Sequence, residues 1–113
     1  MARKPEDTDW RRIAGLYEAL AALTASPVVE VNRAVAVGMA ETPQAGLEVI
    51  EAVAGAPELS GYHLLPSVRG DLLAKVGRRD EAIVELGRAA TMTQNARERE
   101  VLERRVAELR AGL

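Results

Sequence analysis

Apolar residues recur at intervals of three and four along almost the whole chain, which is the spacing of one buried face of an α-helix. In the first segment this spacing joins Trp10, Ile13, Leu16, Tyr17, Leu20 and Leu23. Capping and turn residues divide the pattern into segments of helical length. The pattern therefore predicts six helices and no sheet, near residues 9–24, 27–41, 43–54, 62–77, 79–93 and 95–111.

Several helix starts carry recognisable capping chemistry. Ser26-Pro27 and Thr42-Pro43 each place a hydroxyl cap before a proline at the first helical position, where the missing N–H costs no hydrogen bond. Thr8 or Asp9 can cap the first helix, and Asn95 with Glu98 matches a capping box. A further proline, Pro66, lies one turn inside the fourth predicted helix, and we expect a bend there, near Tyr62.

The second segment also suits a different structure. Its valines at positions 28, 29, 31, 35 and 37 would fit a buried strand. The Ser-Pro start, the interleaved alanines and the helical neighbours favour a helix instead.

A spacing of small and large apolar residues repeats along the chain. In residues 60–95 it consists of Gly70, Leu73, the turn at Gly77, Ala82, Leu86 and Ala89. This is the spacing of a tetratricopeptide unit, a pair of antiparallel helices. A weaker copy in residues 27–54 consists of Ala34, Val37, Gly46, Ile50 and Val53.

The two remaining helices complete this scheme. The first fits the second half of an earlier unit, with Gly15, Ala19 and Ala22 at the close-packed positions, and the last fits the first half of a later unit. Residues 8–113 are thus predicted to form one tetratricopeptide-like domain, a right-handed solenoid of antiparallel helix pairs. Residues 1–7 are predicted to be a disordered lead or a remnant of an expression tag.

Composition and charge restrict the possible functions. The net charge of −2 gives no positive field to gather nucleic acid, and the absence of cysteine excludes disulfides and thiolate metal sites. No apolar run reaches the length of a membrane span, so we expect a cytoplasmic protein. His63 is a lone histidine and no catalytic or phosphate-binding motif is present, so we predict no metal, no cofactor and no enzyme activity.

Four phrases occur in a defined order: DWRRIAGLYEAL at 9–20, SPVVEVNRAVA at 26–36, GYHLLPSVRGDLL at 61–73 and GRRDEA at 77–82. In this series the chain resembles the C-terminal extension of extracytoplasmic-function RNA polymerase sigma factors. The resemblance is to the group with a tetratricopeptide-like tail, often encoded beside DGPF (YCII-related) proteins. It covers about residues 8–109 and does not include the promoter-binding regions of that family.

The resemblance implies a protein-interaction or regulatory domain acting on transcription initiation. Its expected partners are RNA polymerase, the sigma-factor regions missing from this chain, or both, with no direct contact to nucleic acid or membrane. The repeat spacing assigns the partner to the concave side, formed by the first helix of each unit. The residues predicted to line this groove are Val28, Val31, Val35, Leu64, Ser67, Asp71, Lys75 and Arg105.

Other polar residues are predicted to serve the fold. Arg33 and Arg69 occupy the same repeat position, and a guanidinium near a helix interface needs a carboxylate or carbonyl partner, for which Asp71 and Glu48 are candidates. Asn32 is expected to bond backbone at a helix contact. Tyr62 and His63 are expected to have structural roles where the fourth helix starts.

Two alternatives from other functional classes stay open. Residues 61–93 could form a DNA-binding helix-turn-helix, although the acids at the start of its second helix would repel phosphate. The chain could also be a sensor that holds a small ligand between helices.

Overall fold

The computed structural model describes residues 8–112, in which six α-helices follow one another with no strand. They are α1 (Trp10–Thr24), α2 (Pro27–Ala40), α3 (Pro43–Glu51), α4 (Leu64–Lys75), α5 (Arg79–Met92) and α6 (Ala96–Arg110). A short 3₁₀ turn, Pro57–Leu59, lies between α3 and α4. The predicted all-α class is confirmed, and the valine-rich segment is the helix α2.

The predicted caps form at four of the helix starts. Each cap side chain accepts a hydrogen bond from a backbone N–H three residues further on, which satisfies a donor that the helix itself leaves free. The four caps are Asp9 with Arg12 at 3.1 Å, Ser26 with Val29 at 3.5 Å, Thr42 with Ala45 at 3.0 Å and Asn95 with Glu98 at 2.9 Å.

The segment between α3 and α4 differs from the sequence-based expectation. The helix α3 ends at Glu51. The 3₁₀ turn, which was not predicted, places Leu59 in the core. Because α4 begins at Leu64, Pro66 is its third residue and lies in the first turn. The N–H groups of a first turn have no partner inside the helix, so the proline removes no helical hydrogen bond there.

The helices pack in chain order. Each helix contacts the next one, α2 also contacts α4, and the 3₁₀ turn contacts α2. Most of the buried apolar side chains of these elements form one core, and α1 contributes none of its members. They are Val31, Ala34, Leu47, Ile50, Leu59, Leu65, Leu72, Leu73, Ala82, Leu86, Ala89, Ala90, Leu102, Val106 and Leu109.

Burial repeats at equal intervals along the chain. Positions 34, 70 and 106 are all buried, and so are positions 37, 73 and 109, three residues further along α2, α4 and α6. Positions 46 and 82 are buried in α3 and α5, as are positions 50 and 86. The first helices of the predicted units therefore present the same face to the core, and so do the second helices.

The predicted buried face of α1 is wrong in half of its members. Leu16, Leu20 and Leu23 are 62%, 42% and 85% exposed. The predicted close-packed positions Gly15, Ala19 and Ala22 are exposed as well. The physical reason is that α1 packs mainly against one helix, α2. The side of α1 that faces α2 overlaps the predicted apolar face only in part. That side consists of the half-buried Trp10, Ile13, Ala14, Tyr17 and Ala21.

Two glycines allow the helices of a pair to touch. A Cβ built on Gly46 of α3 would lie 2.6 Å from the carbonyl oxygen of Ala34 and 3.0 Å from the Cα of Gly38, both in α2. A Cβ on Gly70 of α4 would lie 2.7 Å from the Cγ of Leu86 in α5. Real Cβ atoms do not approach so closely, so both crossings depend on the missing side chain.

A charged cluster joins α3, α4 and α5. The Nε of Arg69 in α4 donates to Glu51, the last residue of α3, and its guanidinium lies 3.4 Å from the buried carboxylate of Glu85 in α5. Burial of Arg69 disfavours its charged form, but hydrogen bonds and charge from Glu51 and Glu85 outweigh this, so the pKa of Arg69 is raised above its ordinary value. Arg88 contacts the same carboxylate of Glu85 at 3.4 Å.

Replacing Gly46 with alanine should destabilise the fold by about 1–3 kcal/mol, because the added methyl collides with rigid backbone of α2. Gly87 in α5 is the matched control, since a Cβ there meets nothing within 4 Å. Gly87→Ala should stabilise the protein by up to about 1 kcal/mol through helix propensity. Urea unfolding followed by circular dichroism measures both, and equal midpoints for the two variants would contradict the crossing described here.

Replacing Arg69 with methionine should cost about 2–3 kcal/mol, because it leaves the buried carboxylate of Glu85 with Arg88 alone. Glu51→Gln should cost less than about 1 kcal/mol, since Glu51 is largely exposed and Arg69 keeps Glu85. Adding Glu85→Leu to Arg69→Met should restore most of the lost stability, because no buried charge is then left unpaired. The free energies of unfolding of the three variants test this, and failure of the double variant to recover would contradict it.

Candidate functional site

A cleft lies between α2 and α4, on the side where the sequence places the partner-binding groove. Its volume is about 260 Å³. The residues that line it are Val35, Gly38, Met39, Ser67, Val68, Asp71, Leu72 and Lys75. Four of them, Val35, Ser67, Asp71 and Lys75, belong to the predicted groove.

The floor of the cleft is formed at a glycine. A Cβ on Gly38 would lie 3.0 Å from the Cδ2 of Leu72, so the Leu72 side chain of α4 packs closely against α2 at this point. Gly38 and Leu72 therefore form the bottom of the cleft, and the neighbouring side chains of α2 and α4 form its two walls.

The two walls differ in chemistry. On α2, Val35 and Met39 are 38% and 49% exposed, which gives an apolar wall open to solvent. On α4, Lys75 Nζ lies 3.0 Å from Asp71 Oδ2, an ion pair between residues one helical turn apart. An occupant of the cleft would thus meet an apolar surface on one side and a positive and a negative charge on the other.

Four lining residues were not predicted from the sequence: Gly38, Met39, Val68 and Leu72. The repeat spacing contains the signal for Met39, because the interval that relates Val35 to Asp71 also relates Met39 to Lys75. The exposure of Val68 depends on the angle at which α4 crosses α2, and no pattern in the sequence encodes that angle.

The other predicted groove residues lie elsewhere. Val31 is 1% exposed and packs in the core, so it is not available to a partner. The reason is that α2 is covered on several sides, by α1, α3 and α4, which leaves a narrower free face than the repeat spacing assumes. Val28 is partly exposed and Leu64 is half-buried, and neither lines the cleft.

Arg105 lines a separate cavity, next to the turn at Gly77. Its guanidinium lies 3.9 Å from Glu108 of the same helix. The cavity has a volume of about 560 Å³ and mixes the basic Arg78 and Arg79 with the acidic Asp80 and Glu81. Arg78 pairs with Glu81 through two hydrogen bonds of 2.9 and 2.6 Å, so part of this charge is already neutralised.

The predicted structural arginines do pair with carboxylates, but with different ones from those expected. Arg33 donates to both oxygens of Glu30 at 3.0 and 3.1 Å, and this hydrogen bond raises the pKa of Arg33. Arg69 pairs with Glu51 and Glu85, not with Asp71 or Glu48. Asp71 is taken by Lys75, its neighbour one turn away on the same helix.

The remaining predicted structural residues lie near the surface. Asn32 is exposed and donates to the carbonyl of Val28 in its own helix at 3.2 Å, not across a helix contact. Tyr62 is half-buried against the core, and its ring centroid lies 6.4 Å from that of His63.

His63 joins two distant helix starts. Its Nε2 lies 2.5 Å from Glu98 Oε1, which links the start of α4 to the first turn of α6. The sequence assigned the carboxylate of Glu98 to the backbone N–H of Asn95, but that N–H donates to the hydroxyl of Thr93 at 3.2 Å. Of the two hydrogen bonds of a capping box, only the one from the Glu98 N–H to the Asn95 side chain is formed. The carboxylate of Glu98 contacts His63 instead.

A third cavity lies between α5 and α6 and has a volume of about 470 Å³. Its lining includes the apolar Ala90, Val106 and Ala107 and the basic Arg99 and Arg110. The guanidinium of Arg99 donates hydrogen bonds to the carbonyls of Ala90 and Thr93, at 3.3 and 2.8 Å.

The described residues contain no cluster of three or more side chains suited to hold a metal ion. Within residues 8–112, no helix has the length and apolar character needed to cross a membrane.

Comparison with known proteins shows a similarity to part of a longer protein. The chain is 45% identical over 97 residues to an uncharacterized protein of Rhizobium meliloti (strain 1021). The aligned region is 86% of this chain but 22% of that protein, so the chain spans about a fifth of the length of the curated relative it matches. No protein-family model matches the chain, and no solved structure matches it.

Proposed function

We propose that the chain is a protein-interaction domain that regulates transcription initiation, the C-terminal extension of an extracytoplasmic-function sigma factor acting in the cytoplasm. Its partner is RNA polymerase or the sigma-factor regions that precede such an extension. The ordered sequence phrases at residues 9–20, 26–36, 61–73 and 77–82 support this identity. The match to about a fifth of a longer bacterial protein supports a role as one part of a larger chain.

The proposed architecture is a short right-handed solenoid of tetratricopeptide-like pairs, with α2, α4 and α6 as first helices and α1, α3 and α5 as second helices. Two observations support it. Burial repeats at positions 34, 70 and 106, and α2 contacts α4 as well as its neighbours along the chain. In such arrays the first helices line a concave surface that binds partners.

The cleft between α2 and α4 is the observation that carries the functional proposal. Its volume of about 260 Å³ lies below the roughly 300–1,000 Å³ typical of small-molecule sites. A space of this size suits one or two side chains of a protein partner. The exposed Val35 and Met39 offer that partner an apolar contact, and the Asp71–Lys75 pair offers it both charges.

The helix-turn-helix alternative has less support. The first turn of α5 contains Asp80 and Glu81, which would face phosphate in a recognition helix. The guanidinium of Arg78 is already paired with Glu81, and the net charge of the chain is −2. These features disfavour binding to nucleic acid.

A small-ligand sensor is a second candidate function, supported by the cavity between α5 and α6. Its volume of about 470 Å³ lies within the range of ligand sites, and its walls are largely apolar. A thermal-shift screen with amphipathic metabolites tests it. Stabilisation that Ala107→Trp abolishes would support this candidate, and the absence of any shift would count against it.

The test of the main proposal is binding of the 113-residue chain to two analytes, RNA polymerase core enzyme and an extracytoplasmic-function sigma factor that lacks an extension. We expect binding to at least one of them. Met39→Glu and Asp71→Arg should each weaken it at least tenfold, which corresponds to about 1.4 kcal/mol. Biolayer interferometry measures the affinities, and circular dichroism confirms that the variants fold.

Val84→Glu is the matched control, because Val84 is a 67% exposed valine of α5 outside the cleft. This variant should bind as the unchanged chain does. No binding to either analyte, or equal weakening by all three variants, would contradict the proposal. Strong, salt-sensitive binding to duplex DNA would favour the helix-turn-helix alternative instead.

A further inference from the structure

The helix α1 leaves a large apolar surface uncovered. Leu16, Leu20 and Leu23 follow one another at intervals of four and three residues, so they form a ridge along one side of the helix. All three are exposed, and none of them belongs to the half-buried side of α1 that contacts α2. Scattered exposed leucines are ordinary, but a continuous ridge on one helix face marks a contact surface.

A shallow groove runs beside the ridge. Gly15, Ala19 and Ala22 lie along the neighbouring strip of α1 and are exposed. A Cβ on Gly15 would meet no atom within 4 Å, so the described chain leaves space open at this position, which also borders a cavity of about 460 Å³ shared with Arg33 of α2 and with Glu41, which follows that helix. A leucine ridge next to a groove of small residues is self-complementary, because the ridge of one copy fits the groove of another when a two-fold axis relates them.

The charge distribution of α1 also suits an antiparallel partner. Arg12 lies exposed near the N-terminal end, while the last turn contains no basic residue. The C-terminal end of a helix carries partial negative charge from its free carbonyls. In an antiparallel pair, Arg12 of each copy approaches the C-terminal end of the other copy's α1, where a cation is favourable.

We propose that two copies of this chain associate through antiparallel α1 helices, with the two-fold axis near Ala19 and Leu20. In this arrangement Leu16 of one copy meets Leu23 of the other. The cleft between α2 and α4 does not include α1, so the association leaves the proposed partner site free and does not depend on it.

The expected association is reversible and depends on concentration. Three leucines per copy, with the small residues beside them, form a patch below the roughly 800 Å² per partner that is typical of stable interfaces. A monomer–dimer equilibrium in the micromolar range or weaker is therefore expected, not a permanent dimer.

Sedimentation equilibrium of the 113-residue chain, over about 5–500 μM, tests the proposal. The unchanged chain should show a monomer–dimer equilibrium. Leu20→Glu should raise its dissociation constant at least tenfold, because it places a charge at the two-fold axis. Val84→Glu, at an exposed valine of α5, should leave the equilibrium unchanged. A monomer at every concentration, or a dimer that survives Leu20→Glu, would overturn the proposal.

Single-cysteine variants test the geometry, since the chain has no cysteine of its own. When Leu16→Cys and Leu23→Cys chains are mixed and oxidised, the mixed disulfide should form in preference to either symmetric one. Cα atoms must come within about 7 Å to be bridged without distortion, so the result reports on proximity. Preference for the two symmetric disulfides would show parallel helices and overturn the antiparallel arrangement.

Discussion

The packing of α2 to α5 depends on glycines that let neighbouring helices come into close contact. At the crossing of α2 and α3, Gly46 lies against the carbonyl of Ala34 and the Cα of Gly38, with no side chain between the two helices. Gly38 also faces Leu72 of α4, so one short stretch of α2 sets its distance to two neighbours at once. The cleft with Val35 and Met39 exists because α4 can come this close to α2 at a residue without a side chain.

Arginine recurs at the same interval along the chain as the buried positions of the first helices. Arg33, Arg69 and Arg105 lie at equal spacing, each directly before a buried position in α2, α4 or α6. Their acidic partners do not follow the same interval. Arg33 uses Glu30 of its own helix, Arg69 uses carboxylates of α3 and α5, and Arg105 lies near Glu108. The repeat thus preserves the position of the charge, and each location in the fold supplies its own counter-charge.

The features that the sequence predicted well are those decided by neighbouring residues. The Ser26 and Thr42 caps, the left-handed turn at Gly77 with a φ of 86°, and five of the helix starts to within one residue all follow from local chemistry. The features that it missed depend on which helix covers which face. An apolar stripe in α1 is a necessary condition for burial, but Leu16 and Leu23 find no covering helix among the described residues.

In the candidate site, too, the sequence predicted what depends on the repeat spacing and missed what depends on how the helices pack. The repeat spacing placed Val35, Ser67, Asp71 and Lys75 together, because they share one face of paired first helices. It also placed Val31 there, and this was wrong, since the width of the free face of α2 depends on how α1 and α3 press against it. The His63–Glu98 contact had no local signal either, because His63 precedes α4 and Glu98 lies in α6, far apart in the sequence.

The first and the last of the described helices differ in the chemistry of their exposed faces. Most of the exposed positions of α6 are charged, among them Glu100, Glu103, Arg104 and Arg110. The outer face of α1 is instead apolar, with the leucine ridge and the small residues beside it. Exposing that face to water costs free energy in proportion to its apolar area, whereas the charged side chains that dominate the exposed face of α6 are favourably hydrated. Contact with another apolar helix is therefore favoured at the α1 end, and the charged α6 end resists the same kind of stacking.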